Sequence, residues 1–440
     1  MTKHFILCAL FISVSVIGQT NTPESLSLQE AIDYALKSNR TAINSAHDVD
    51  AAIQQKKETI RGGFPQISGQ IDYINNIRQQ FDPVDFNGDG IPEFGAQHQM
   101  NASASLNQMI FDGSYIVGLQ SAKVFLQISK NAKTKTDLQV REAVINAYGN
   151  VLLAEESLKI LNSNIGVLEK NVFDITKIFE NGFEEEESVE QLKITLSGVK
   201  NNLNKTKRLQ KIAYQMLNLN LGIELDQKIL LTDNLKSLTE KNIFIEALTL
   251  DDVKNTIDFK IAENDKVSKE LLVKLERSRN LPTIGAFLNG GYLANRETFD
   301  FSNSDKKWIG TSSFGASIKI PLFSSGQHGA RTQRAKINLE KAELNVTETE
   351  QRIKLQLASA KSDYEFAVED FKNKTENLTL AKRIEAKNQT KFFEGVSTSF
   401  DLRQAQTQLY SSQQDYLQAM LNVLNAKAKL DTITNQTTTF

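Results

Sequence analysis

From Val144 to Phe179, apolar residues recur at steps of three and four without a gap: Val144, Ala147, Val151, Ala154, Leu158, Leu161, Ile165, Leu168, Val172, Ile175 and Phe179. This heptad seam predicts a long helix packed lengthwise against others. A second row beside it, Leu153, Ile160 and Val167, gives that helix a flank on each side, as a stave in a hollow barrel requires. The same seam returns in Ile353, Leu357, Ala360, Tyr364, Ala367, Phe371, Leu378 and Ala381. The predicted helices are Lys123–Phe179, ~85 Å at ~1.5 Å per residue, and Ala330–Phe393, ~96 Å on the same rise. Each ends at a glycine, Gly182 or Gly395, and a returning helix follows. Leu402, Ala405, Leu409, Tyr416, Met420 and Val423 mark the second return.

Elsewhere the period is two. Ile67, Gly69, Ile71 and Tyr73 alternate with Gln66, Ser68, Gln70 and Asp72, and Ala102, Ala104, Leu106 and Ile110 form the apolar face of a returning strand. Ile284, Ala286, Leu288, Gly290 and Tyr292, then Phe314, Ala316, Ile318, Ile320 and Leu322, repeat the arrangement. Such alternation fits strands with lipid on one side and water on the other, and fits equally the half-buried strands of a soluble sheet. Helices are expected before each strand pair, at roughly Leu28–Arg61 and Asp251–Arg279. Tyr73, Tyr292 and Trp308 fall near strand ends, where aromatic belts lie in membrane proteins.

The two halves match at a fixed offset. Gly182 falls on Gly395 213 residues later, Ala122-Lys123 on Ala335-Lys336, Val189 on Leu402 and Leu196 on Leu409. This predicts one structural unit used twice. The expected organisation is a signal peptide at 1–18, a first repeat at 19–222, a connecting equatorial segment at 223–247, a second repeat at 248–430 and a polar tail at 431–440. Four strands cannot close a transmembrane barrel, and an open sheet would leave unpaired edges in lipid. Other copies must complete it; three would give twelve strands and a ring of helices.

Composition narrows the field. The six prolines avoid the stretch between Pro92 and Pro282 and everything after Pro321, as long helices require. Lys3 and His4 followed by the apolar core Phe5–Ile17, 13 residues long, read as a secretory signal, too short to span a bilayer. The single cysteine, Cys8, lies inside it, so no disulfide or thiolate chemistry is expected of the mature chain. A net charge of −2 without a basic stripe disfavours nucleic acid. The four histidines show no metal spacing, and no phosphate loop or nucleophile motif suggests an enzyme. Asp85, Asn87 and Asp89, with glycine at the sixth position, resemble the start of a calcium loop, but the twelfth position is Ala96 instead of glutamate. A polar surface turn explains the same residues.

In this order, Leu26-Ser-Leu-Gln-Glu-Ala-Ile, Gly63-Phe-Pro-Gln-Ile, Pro321-Leu-Phe-Ser-Ser-Gly and Gly395-Val-Ser-Thr-Ser-Phe-Asp-Leu-Arg-Gln-Ala resemble the TolC family of outer-membrane efflux and secretion channels. The resemblance covers nearly the whole mature chain. It implies a mixed, mostly α fold: a homotrimer with a twelve-stranded β-barrel in outer-membrane lipid, continued by a long periplasmic α-helical barrel. It also implies a periplasmic adaptor linking the tunnel to an inner-membrane pump, and passive conduction of small molecules or polypeptides. The hairpin tips, with Gly182, Phe183, Gly395 and Val396, would carry adaptor docking. Asp401 would line the gate. The family's second aspartate is Gln404 here, and its first-tip aspartate falls on Ser188, beside the run Glu184–Glu187. The other class of protein open at this stage is a soluble periplasmic coiled-coil scaffold or adaptor.

Overall fold

The computed structural model describes residues 23–436, apart from 80, 81, 87, 89–91, 93, 94 and 244–249. The expected signal peptide therefore lies outside the described residues. The chain begins with β1 (Ser25–Leu26), α1 (Leu28–Ser38) and α2 (Arg40–Arg61). The strands β2 (Gln66–Asn75) and β3 (His98–Phe111) follow, then α3 (Gly113–Glu180) and α4 (Glu186–Leu221). After β4 (Leu230–Leu231) and α5 (Leu235–Lys241), a 3-10 turn at Leu250–Asn255 leads into α6 (Ile257–Ser278). The chain closes with β5 (Thr283–Arg296), β6 (Ile309–Lys319), α7 (Gln327–Phe393) and α8 (Ser399–Thr434).

The long helices form where the seams predict them. α3 has 68 residues and α7 has 67, roughly 100 Å each at ~1.5 Å per residue. Val144, Val151, Leu168 and Ile175 of the first seam are fully buried, as are Ile353, Leu357, Ala360 and Tyr364 of the second. The boundaries differ in four places. The first helix breaks at Asn39, which ends α1 and caps α2 by accepting from the N–H groups of Thr41 and Ala42. α3 starts ten residues before Lys123, because Asp112 caps it through the N–H groups of Ser114 and Tyr115. The helix expected from Asp251 begins only at Ile257, where Thr256 supplies the cap. α8 runs to Thr434, four residues into the expected polar tail, because Asp431 is buried there in an ion pair with Lys427.

The helices are laid as staves. In the lower half the order is α4–α3–α8–α7, and in the upper half α2–α3–α6–α7. α3 and α7 run through both halves, while shorter helices stack end to end beside them. At the first junction Asn39 Nδ2 donates to the Asn220 carbonyl at 2.7 Å and Ser38 Oγ to the Leu221 carbonyl at 2.6 Å. At the second, Asn435 accepts from Ile257 N–H at 3.1 Å and donates to the Asn255 carbonyl at 2.7 Å. α4 ends at Gly222 with φ +78° and α8 at Asn435 with φ +59°. The largest core lies at this waist, where Leu28, Ile32, Tyr148, Leu217, Leu235 and Leu424 meet.

The four long strands make one antiparallel sheet in the order β2-β3-β5-β6, so the two pairs meet through β3 and β5. Its register sorts the side chains. Ile67, Leu106, Leu288 and Phe314 form one cross-strand row, and Ile71, Ala102, Tyr292 and Gly310 the next. The opposite face carries Ser68, Ser105, Asn289 and Ser313, then Gln70, Ser103, Gly291 and Thr311. Two of the sequence-based placements shift. Ile110 is the extra residue of a bulge between Met109 and Phe111, so it leaves the apolar row. Ile320 and Leu322 lie beyond β6, which stops at Lys319, next to Pro321 after one more residue, since proline cannot donate to a ladder.

Candidate functional site

The lower ends of the two hairpins form the site, and both turns are built the same way. After α3, Gly182 takes φ +79°, its N–H bonds the Phe179 carbonyl at 2.8 Å, and Phe183 N–H bonds the Ile178 carbonyl at 3.1 Å. After α7, Gly395 takes φ +73°, its N–H bonds the Phe392 carbonyl at 3.0 Å, and Val396 N–H bonds the Lys391 carbonyl at 2.8 Å. This is the helix stop that pairs a left-handed glycine with crossed hydrogen bonds. It holds Phe183 (83% exposed), Val396 (71%) and Phe400 (55%) out into solvent. The Arg403 guanidinium lies over the Phe400 ring, 5.3 Å from its centroid.

The second turn has a feature that the sequence reading missed. Asp401 closes a capping box with Thr398: its carboxylate accepts from Thr398 N–H at 3.1 Å and from the Thr398 hydroxyl at 2.8 Å, and Thr398 Oγ accepts from Asp401 N–H at 3.2 Å. The bond from the Thr398 hydroxyl, then that from its N–H, holds the Asp401 carboxyl below its usual range. The Thr398-Ser-Phe-Asp401 spacing was the available signal. Gln404, one turn on, is exposed.

The first turn departs from this pattern. Glu185 occupies the capping position and makes no side-chain cap bond. Ser188 donates to Glu184 Oε1 at 2.6 Å and lies 2.9 Å from Ser399 Oγ, joining the two hairpins at their tips. Gln191 donates to Glu187 at 2.7 Å, so Glu187 bonds within α4, and Glu184, just before it, bonds onto its first turn. Above the tips, polar side chains cross between the hairpins. Asn164 donates to Gln413 at 2.8 Å, and Gln389 to Asn171 at 3.2 Å. They interrupt an otherwise apolar contact made by Leu168, Ile175, Leu192, Phe392 and Leu402.

At the far end of the molecule, Asp85 Oδ1 accepts from Gly88 N–H at 2.7 Å, a local turn. Asn87 and Asp89 lie outside the described residues. Among the described residues no group of three acidic, histidine or cysteine side chains could hold a metal ion. Tyr73 joins an aromatic cluster with His98, Phe299, Phe301 and Trp308, and its hydroxyl is 2.9 Å from His98 Nδ1. Arg296 is 1% exposed. It holds the loop after β5 by donating to the Lys306 carbonyl at 2.9 Å, with Asp300 at 3.6 Å.

A four-stranded sheet with one apolar face, mounted on stacked helical hairpins, is the architecture of a TolC-like outer-membrane channel. Residues 258–436 match the model of the outer membrane efflux protein family. Solved channels share the fold of the whole chain. The structure of CusC matches with a TM-score of 0.77 at 16% identity, covering 94% of this chain and 93% of that one. The outer membrane protein VceC from Vibrio cholerae gives 0.73 at 15%, over 92% and 95%. The Campylobacter jejuni outer membrane channel CmeC gives 0.75 at 15%, over 94% and 87%. No curated protein matches the chain. The TolC resemblance carried by the motifs is thus borne out: residues 258–436 match the outer membrane efflux protein family, and the chain has a TolC-like fold. Among the described residues no helix is long and apolar enough to cross a membrane.

Proposed function

We propose that three copies of this chain close into a passive outer-membrane conduit. A periplasmic adaptor would join its helical tunnel to an inner-membrane pump of an efflux or type I secretion system. The observation that carries the reading is the arrangement of free flanks. β2, α2 and α4 lie along one side of the chain, β6 and α7 along the other, and each outer strand has a partner on one edge only among the described residues. A flank that fits the opposite flank of the next copy closes a ring by rotation. Four strands per copy then give twelve in a closed barrel, which removes the unpaired edges that lipid forbids.

The sheet faces support the same reading. Ile67 (75% exposed), Leu288 (50%) and Phe314 (79%) would stand in water in a soluble scaffold. From Ile284 to Tyr292 the apolar face extends about 26 Å at ~3.3 Å per residue, comparable with the ~25 Å apolar band of outer-membrane barrels. The hydroxyl and amide face would line the passage. The duplication proposed from the 213-residue offset is supported by equal lengths: α4 and α8 have 36 residues each, α2 and α6 have 22 each.

In this reading the tips form the gate and the adaptor-docking surface. Gly182, Phe183, Gly395 and Val396 shape that surface, and Asp401 and Gln404 stand at the mouth. Adaptor binding opens the channel only by contacting the open state more strongly. Purified mature chain should require detergent, run as a trimer by native mass spectrometry and conduct ions in planar bilayers. Asp401→Asn should change conductance or cation preference. A detergent-free monodisperse monomer overturns the channel reading; an unchanged Asp401→Asn channel overturns the gate assignment. Calcium at Asp85, Asn87 and Asp89 is a separate proposal. It is withdrawn if calorimetric titration shows no binding heat that Asp89→Ala abolishes.

A further inference from the structure

Where α6 stands on α8, between α3 and α7, the wall of the chain holds a cavity of about 520 Å³. Its cause is the joint itself. The bonds from Asn435 to Ile257 and Asn255 hold the two helix ends together, but the ridge of side chains that an unbroken stave would carry across this level is interrupted. The volume falls in the ~300–1,000 Å³ range of small-molecule sites. Leu138, Ile257 and Ile433 line it with apolar surface. Both lining lysines are already paired across the joint: Lys135 of α3 with Asp258 of α6 at 2.7 Å, and Lys429 of α8 with Asp363 of α7 at 3.1 Å. Glu142 of α3 lines the cavity too, and its carboxylate has no ion pair or hydrogen bond among the described residues. One negative charge is thus left over beside an apolar surface.

The cavity opens away from the core at the waist. Tyr148 and Leu424 point into that core. Gln139 and Ile433, both at the cavity, lie nine residues from them along α3 and α8, which is about 180° round at ~100° per residue. α1, α5 and the segment between α4 and α5 therefore cover one face of the wall, and the cavity opens on the other. In a ring of three copies the covered face is the outer one. Twelve staves ~10 Å apart set their axes on a circle of ~19 Å radius, which leaves a bore of ~14 Å radius inside helices ~10 Å thick. A second layer of helices from each copy would fill that bore, so it lies outside and the cavity faces the passage.

We propose that this cavity is a cargo subsite for small amphipathic organic cations. An ammonium or amidinium group pairs with Glu142, and the apolar body of the same molecule rests on Leu138 and Ile433. The inference rests on the channel reading above and names a class of cargo for it. An anion meets the unpaired carboxylate and no free cation among the lining residues, since Asp258 and Asp363 hold Lys135 and Lys429. One carboxylate in an open hollow gives a contact strong enough to gather cargo and weak enough to release it, as conduction requires. Three copies set three such subsites at one level of the passage.

The probe is 1-naphthylmethylammonium, with 1-naphthylmethanol and 1-naphthylacetate as its neutral and anionic counterparts. Each is titrated by equilibrium dialysis against the full chain in lipid nanodiscs, and differences between parent and variants remove partitioning into lipid. Saturable binding of the ammonium should weaken about tenfold in Glu142→Gln, through loss of a charge-assisted bond. Gln139→Trp, at an exposed position, fills the hollow and should abolish it. The alcohol should bind parent and Glu142→Gln equally weakly. Equal binding of the ammonium to parent and Glu142→Gln, or acetate bound as tightly as ammonium, overturns the subsite. Its place in the passage is tested separately. Cys8 is the chain's one cysteine, so Ser359→Cys at the cavity offers a single thiol in a Cys8→Ser background. A cationic methanethiosulfonate should lower the unit conductance of that variant in planar bilayers, and the ammonium probe should slow the modification. Unchanged conductance with the thiol labelled by mass spectrometry puts the cavity outside the passage; this overturns the proposal and leaves the channel reading standing. A chain that forms no channel removes both.

Discussion

The Tyr148 hydroxyl donates at 3.0 Å to Asp233 Oδ2 and lies 3.0 Å from the Leu26 carbonyl, inside a core where Tyr148 is wholly buried. The same carboxylate oxygen accepts from Leu28 N–H at 2.6 Å and so caps α1. One side chain of α3 thus ties together the amino-terminal segment and the strap between α4 and α5. Tyr148→Phe takes the hydroxyl donor from the half-buried Asp233 carboxylate, while the Leu26 carbonyl keeps its bond from Thr232 N–H at 3.1 Å; the loss costs ~1–3 kcal/mol. The expected outcome is a lower thermal midpoint by circular dichroism with unchanged helix content below the transition. An unaltered midpoint would mean that water replaces the hydroxyl.

The two left-handed glycines at helix ends should respond differently to alanine. A left-handed non-glycine residue costs about 1–2 kcal/mol at either position. At Gly395 an added Cβ meets open space. At Gly222 it would sit 2.2 Å from the Ser38 carbonyl oxygen, in the junction that stacks α2 on α4. Gly222→Ala must therefore also displace the bonds from Ser38 to Leu221 and from Asn39 to Asn220. Its thermal midpoint should fall clearly further than that of Gly395→Ala. Equal shifts would show that the junction yields without cost.

What was readable depended on range. The seams of α3 and α7 were legible because each contact repeats every three or four residues, so Val144 and Ile353 announce their burial locally. The alternating strands were legible for the same reason. The break at Asn39 was not, since no glycine or proline marks it and its cause is the end of α4, 181 residues away. Asp112 is a strong capping residue, yet Gly113 and Ser114 after it masked the start of α3. At the tips the glycine turns were read correctly. Asp401 was seen only as a pore carboxylate, although Thr398 three residues earlier makes it half of a capping box. The stave order and the two flanks depend on packing between distant segments and have no local sign.

The capping box gives the second tip a pH dependence. A carboxyl whose pKa is depressed in the folded state stabilises that state above its unfolded pKa, and the contribution is lost as pH falls through the folded one. Asp401 is such a group, held down by the Thr398 hydroxyl and N–H. The first turn of α8 should therefore loosen below about pH 4, the ordinary aspartate range. Amide-exchange protection factors for residues 399–403, which divide out the intrinsic rates, should drop there in the parent chain. Thr398→Ala should already show the lower protection at pH 7. Protection in the parent that is flat from pH 7 to pH 3 would count against the cap.

Asn164 and Gln413 bridge α3 and α8 within the contact that joins the two hairpins. Asn164 is 8% exposed, so its amide has given up water for that one partner. Removing one member of such a pair strands the other, at ~1–3 kcal/mol, whereas replacing both with apolar groups of similar shape is close to neutral or stabilising. Asn164→Leu alone should thus lower the unfolding midpoint, and the addition of Gln413→Met should restore or raise it. The consequence for conduction runs the other way. A dry seam between the hairpins resists separation more than one that can exchange its bonds with water, so the double variant should open less often in planar bilayers at unchanged unit conductance. A double variant as stable and as often open as the parent would place the moving contact elsewhere, between copies instead of between the hairpins of one chain.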